Sequence, residues 1–206
     1  MVTVFCFNIS QLDEAAYTRL YRQSSSYRRQ KADRCLHYAD KLRCIAADAL
    51  LRHALGTGDF TEVREGCGKP RIRELPEFHY SLSHSGPWVV LAFGPEEVGI
   101  DVEEINMDVK KEKLARRYFT QAEQAYLFRS EEGRDRRFFE IWTAKESYVK
   151  YLGTGLQTPL TSFDTTAMTA PRFHTRTLKG CTMTLCTDAA DIRITELTLP
   201  QLHSSL

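Results

Sequence analysis

Apolar and polar residues alternate from position 2 to position 9, the two-residue period of a β-strand. A helix is expected over 11–23, broken by Ser24, Ser25 and Ser26. Across 39–55, Leu42, Ile45, Ala46, Ala49 and Leu50 recur at helical spacing, and Gly56 stands where a left-handed residue would cap that helix. Residues 60–63, 78–82 and 88–93 read as strands between Gly/Pro turns. Gly94-Pro95-Glu96-Glu97 then marks a boundary between two halves, 1–97 and 98–206. In the second half, Thr120 and Glu123 have the spacing of a capping box, in which hydroxyl and carboxylate each satisfy an amide left free by the first helical turn. Residues 135–152 predict another helix with Phe138, Ile141, Trp142, Val149 and Leu152 on its buried side and Gly153 as its stop. Beyond it, Met183, Leu185, Ile192, Ile194 and Leu197 alternate with polar residues, threonine prominent among them, and read as strands. The expected class is α+β, two α/β halves of similar size that suggest a pseudo-repeat, although the letters show no direct self-similarity.

Composition narrows the field without choosing within it. A chain of 206 residues, 42% hydrophobic and 27% charged, can bury a proper core, which excludes collagen, low-complexity disorder and a disulfide-dependent scaffold. The formal charge of +1 gives no reason to expect a nucleic-acid or membrane partner. No apolar run approaches the roughly 18 residues that span a bilayer, and the first eight residues carry no basic flank of a signal peptide. Six cysteines lie at 6, 35, 44, 67, 181 and 186 with no C-x-x-C spacing, so zinc-finger and thioredoxin-like chemistry are not expected. They fit reduced, mostly buried thiols in a cytoplasmic protein.

The distribution of charge says more. Arg19 to Arg52 holds nine Lys/Arg and three acids, whereas Glu96 to Glu104 holds five acids and no base. Such patches suit an anionic ligand held partly through a metal ion, but charge counts alone favour two solvated helix or loop faces. Within Val98-Gly-Ile-Asp-Val-Glu-Glu-Ile105, strand alternation puts Asp101 and Glu103 on one face, about 7 Å apart, with Ile100 and Val102 packing inward. Two carboxylates so placed repel unless a cation intervenes, and oxygen-only ligands favour Mg²⁺. An acidic edge strand would look the same. Glu146 and Lys150 share a helix face, which makes either an ordinary i,i+4 ion pair or a metal ligand (or general base) beside a phosphate-binding lysine. Tyr80-Ser-Leu-Ser-His-Ser-Gly-Pro87 runs a strand into a turn without the G-x-S-x-G elbow of serine hydrolases. Gly66-Cys-Gly-Lys-Pro-Arg71 puts a lysine in a glycine-rich loop that is no Walker loop.

Taken in order, Gly-Lys-Pro, Ser-His-Ser-Gly, Gly-Ile-Asp-Val-Glu and Trp-x-x-Lys-Glu-Ser-x-x-Lys followed by Gly-x-Gly are far more specific than any one alone. From about Arg28 to Ser162 the chain resembles the surfactin-synthetase-activating type of 4′-phosphopantetheinyl transferases, single chains of two pseudo-symmetric halves. The resemblance implies transfer of the phosphopantetheine arm of coenzyme A to a serine of an apo acyl or peptidyl carrier protein, releasing adenosine 3′,5′-bisphosphate. It implies that Asp101, Glu103 and Glu146 hold Mg²⁺, that Glu146 is the base toward the serine, directly or through water, and that Lys150 steadies the pyrophosphate and can protonate the leaving group. It places Ser83 and His84 at the nucleotide phosphates, Lys69 at the adenine and phosphate pocket, and Lys31 and Arg43 at the 3′-phosphate, with Arg28 a looser match. A monomer is expected. A Mg²⁺-dependent hydrolase of nucleotide pyrophosphates, or a non-catalytic coenzyme A-binding module, would use the same residues. No motif maps beyond Thr165.

Overall fold

The computed structural model describes residues 1–64, 68–106 and 110–203, so Gly66 and Cys67 of the lysine loop lie outside the described residues. Strand β1 (Val2–Asn8) passes through a 3₁₀ turn (Ile9–Gln11) into helix α1 (Glu14–Gln23). This helix starts later than its pattern suggests because Asp13 caps it, accepting from the Ala16 amide at 2.7 Å. The serine break is short. Ser25 caps a further helix, α2 (Ser26–Asp33), inside the basic stretch where the sequence pattern gave none. Helix α3 (Tyr38–Leu55) ends at Gly56 with φ of 65°, as its pattern requires.

Four strands follow: β2 (Glu62–Val63), β3 (Arg71–Ile72), β4 (His79–Ser85) and β5 (Trp88–Gly94). Then come β6 (Val98–Glu104), α4 (Lys111–Tyr118), α5 (Gln121–Phe128) opened by the Thr120/Glu123 capping box, and α6 (Arg134–Leu152) stopped by Gly153. Strands β7 (Arg172–Leu178), β8 (Cys181–Thr187) and β9 (Ile192–Leu197) precede a short α7 (Leu199–His203). The class is α+β.

Strands β4, β5, β1 and β9 form one sheet in that order, and β6, β8 and β7 form another. The first takes three strands from residues 1–97 and one, parallel to β1, from the end of the chain. Alternation along β1 and β5 feeds two cores. Phe7, Val89 and Leu91 meet Ile45 and Leu50 of α3, while Val2, Val4, Cys6, Val90 and Ala92 meet Ile100, Val102, Met183 and Leu185 of the second sheet. Helix α6 covers the far face of that second sheet, giving a helix–sheet–sheet–helix stack. Thr184 of β8 points to α6, where its hydroxyl bonds that of Thr143 at 2.7 Å, and it also bonds Thr175 of β7 at 3.0 Å.

Leu152 is a correction, being 41% exposed. The inner side of α6 is set by Ser147 and Tyr151, which press against Gly99, so the residue after Tyr151 is rotated toward solvent.

Candidate active site

Gly99 is where the site is made. A Cβ there would lie 1.9 Å from the Ser147 carbonyl oxygen and 2.4 Å from the Tyr151 nitrogen, so only glycine lets α6 cross β6 at this depth. The crossing brings Asp101 and Glu103 on β6 beside Glu146 and Lys150 on α6. Asp101, expected on an acidic face, is only 4% exposed. Its Oδ1 accepts from Lys150 Nζ at 2.6 Å and from Ser83 Oγ at 2.8 Å, while its Oδ2 is buried with no hydrogen-bond partner. Lys150 therefore reaches across to β6 instead of along its helix to Glu146. Burial and the neighbouring Asp101 charge push the Glu103 carboxyl up, against the Ser85 hydroxyl bonded to it. Burial and Asp101 likewise push Glu146 up, with Lys150 opposing. Three carboxylates thus feel one another across a single lysine. Among the described residues no three His, Cys, Asp or Glu side chains are already gathered into a ligand set.

Beside this acidic group opens a cleft of about 440 Å³. Lys31, Lys69, His84 and Lys150 line it, with Arg28 and Arg64. Burial pushes the His84 imidazole down, and the positive charges of Arg43, Lys31 and Lys150 add to it. Arg43 flanks the cleft: Nη1 donates to the Gly86 carbonyl and Nη2 pairs with Asp40 on the cleft wall, both at 2.6 Å. Arg28 is 6% exposed and forked onto Glu62 with Nη2 at 2.8 Å, and Tyr80 donates to the same carboxylate at 2.6 Å. Lys69 gives the cleft its stem and Gly153 packs on it, but its ammonium turns to Glu97 at 2.9 Å and to the Val98 carbonyl. Burial pushes that ammonium down in spite of Glu97. Ser83 is turned to Asp101 and Lys150.

Three features escaped the sequence reading. Lys145, next to Glu146, is fully buried; it pairs with Glu123 at 2.7 Å and donates to the carbonyls of Leu160 and Phe163 at 2.6 and 2.9 Å. A motif lysine reads as a surface residue because lysine is so seldom buried. Glu97, the last residue of the expected boundary between the halves, binds Lys69, Arg71 and His79. The serines at 81, 83 and 85 carried a legible signal in their two-residue spacing, which puts all three on one strand face.

A family model described as the 4'-phosphopantetheinyl transferase superfamily matches residues 97–196, the stretch that carries β6 and α6. The chain is 34% identical over 172 residues to the 4'-phosphopantetheinyl transferase psf-1 of Bacillus pumilus, covering 78% of this chain and 72% of that protein. It belongs to the 4'-phosphopantetheinyl transferase superfamily. Within that superfamily it is also 34% identical to the 4'-phosphopantetheinyl transferase Sfp of Bacillus subtilis (68% of this chain, 64% of the relative) and 33% identical to ffp of Bacillus subtilis (74% and 70%). The chain thus spans about two thirds of the length of these transferases. No helix among the described residues is long and apolar enough to cross a membrane.

Proposed function

We propose that the chain moves the 4′-phosphopantetheine arm of coenzyme A onto a serine of an apo acyl or peptidyl carrier protein and releases adenosine 3′,5′-bisphosphate. The observation that carries this reading is the place of Lys150, which lines the basic cleft and is bonded to the acidic group. A pyrophosphate spanning cleft and carboxylates would lie across it. Lys31, Arg43 and His84 take the nucleotide phosphates, the stem of Lys69 lines the cleft on the adenine side, and Ser83 serves at the border of the two regions. Arginine suits such a role because its fork matches phosphate oxygens.

Asp101, Glu103 and Glu146 fit Mg²⁺: their donors are all oxygen, and Asp101 Oδ2 is a buried oxygen with no other partner. When bound there, it supplies neutralisation of the pyrophosphate charge that develops on transfer. Glu146 takes the proton of the carrier serine as its oxygen attacks the β-phosphorus. The bond from that phosphorus to the bridging oxygen breaks, the electron pair leaves on the nucleotide, and Lys150 stabilises or protonates the departing oxygen. Residues 1–97 would contribute most of the basic cleft and 98–206 the acidic group, as two halves of one cytoplasmic, monomeric enzyme.

Incubation with coenzyme A, Mg²⁺ and an apo carrier, followed by intact-mass measurement, tests the reading. A carrier heavier by one phosphopantetheine arm is the expected result. Coenzyme A consumed with no change in carrier mass would instead make the chain a pyrophosphate hydrolase, and no turnover of either would make it a binding module.

A further inference from the structure

On β4, Ser81, Ser83 and Ser85 alternate, so one face of the strand carries three hydroxyls, and all three meet β6. Ser81 Oγ accepts from the Ile100 amide at 3.1 Å, and Ser85 Oγ accepts from the Glu104 amide at 3.0 Å. Because β4 and β6 belong to different sheets, these bonds stitch the sheets together at the acidic pair. Two of the hydroxyls also donate to carboxylates: Ser83 to Asp101 Oδ1 at 2.8 Å and Ser85 to Glu103 Oε2 at 2.9 Å.

Resting on the transferase reading above, we propose that Ser83 and Ser85 are positioning residues for the acidic pair, each tying one carboxylate oxygen so that the other is aimed at the divalent cation. Asp101 displays the arrangement. Its Oδ1 is taken by Ser83 and Lys150, which leaves Oδ2 buried and unbonded. Ser85 does the corresponding work on Glu103 and, through its second bond to the Glu104 amide, is itself fixed to the strand it orients. A hydroxyl that donates to a carboxylate favours the charged form and holds its rotamer, the two properties a ligand needs before its ion arrives. The resemblance gives Ser83 to the nucleotide phosphates; its observed partners give it to Asp101.

Ser85 allows the cleaner test, because Ser83 is also bonded to Lys150 at 3.0 Å. The full chain, saturated with coenzyme A and free of carrier, is titrated with Mn²⁺ and followed by electron paramagnetic resonance. Ser85→Ala is expected to weaken Mn²⁺ binding roughly 10-fold or more, the usual effect of removing a partner that orients a ligand. Ser85→Thr keeps the hydroxyl and restores binding. Ser85→Cys, of similar size but a weak donor, is the informative variant if alanine destabilises the fold. Ser81→Ala removes a stitch without touching a carboxylate, so it should lower the thermal midpoint and leave the Mn²⁺ constant unchanged. Wild-type Mn²⁺ affinity in both Ser85→Ala and Ser85→Cys, or an equal loss in Ser81→Ala, overturns the proposal alone. Failure of the wild-type chain to bind Mn²⁺ overturns the metal reading and this proposal with it.

Discussion

Glu146 is the residue at which the rival readings part most sharply. As half of a helical ion pair with Lys150 it would be worth about 0.3–0.5 kcal/mol and have no effect on turnover. Lys150, however, is bonded to Asp101 on another element. Glu146→Gln is therefore expected to lower kcat by two or more decades while coenzyme A still binds, since a general base alone contributes roughly 10²–10⁴-fold; turnover within about threefold of wild type would return it to the helix surface. Arg43 makes a second test. Its guanidinium is preset by Asp40 and the Gly86 carbonyl beside His84. Arg43→Ala should raise the KM for coenzyme A by roughly one to two decades and that for its 3′-dephospho form much less, as expected for one charge-assisted contact. Equal losses for both substrates would exclude a 3′-phosphate contact. That the side chains of separate motifs would gather at one place was legible at this scale, and Asp101, Ser83 and Lys150 do so. Which partner each one holds was not, as Lys150, Lys69 and Ser83 illustrate.

The crossing of α6 over β6 governs the element scale. Gly99→Ala puts a methyl group into the backbone of α6 at Ser147 and Tyr151, where no flexible side chain can give way. The helix must lift from the strand, separating Glu146 from Asp101. The expected result is a loss of stability of about 3 kcal/mol or more in urea unfolding, at the upper end for an overpacked contact, together with loss of transfer. Lys145 holds the other side of the same helix to α5 and to the 160–163 turn. Removing one partner of a buried pair strands the other, so Lys145→Met should cost about 3–5 kcal/mol, and adding Glu123→Gln, which removes the stranded charge but keeps an acceptor for one of the Thr120 and Thr165 amides, should recover part of it. Additive losses in that double-mutant cycle would show that the two charges are independent. Helix ends and the capping box were readable from local chemistry at Gly56, Thr120 and Gly153, whereas the Asp13 cap that delays α1 was not read. Helix α2 was not readable, because its short, strongly charged sequence offers little apolar periodicity and it is held by contacts with α3, whereas α4 carried an unread signal in Leu114, Ala115 and Tyr118.

Across the whole molecule, Glu97 ties the lysine loop, β3 and the start of β4 to the strand that carries the acidic pair. Burial by itself would raise this carboxyl, but hydrogen bonds from Lys69 and Arg71 outweigh it and hold it at about 2, below its ordinary 4.5. A depressed carboxyl stabilises the fold fully above its unfolded value and loses that contribution as pH falls through the folded one. Glu97→Gln should thus be less stable than wild type at pH 7, by about 1 kcal/mol once screening at a group one-third exposed is allowed for. The gap should close between pH 4.5 and about 2. Urea midpoints at pH 7, 4 and 2.5 measure it, and a constant gap across that range would mean that Glu97 acts through packing and not charge.

By itself the sequence determined the helical and extended periods, the caps, the α+β class and the order of the motifs, because each depends on residues near one another in the chain. Only the tertiary structure decided that β9 returns to lie beside β1, that two sheets stack with their apolar faces inward, and that the glycine before Ile100 lets a helix descend onto the acidic strand. Those outcomes depend on partners about 40 to 190 residues apart, for example Gly99 with Ser147 and Val2 with Ile192. The same distance explains the charges. A lysine or glutamate carries no mark of the group that will meet it, and contacts between elements distant in the chain, not local spacing, set the partners of Lys145, Lys150 and Glu97.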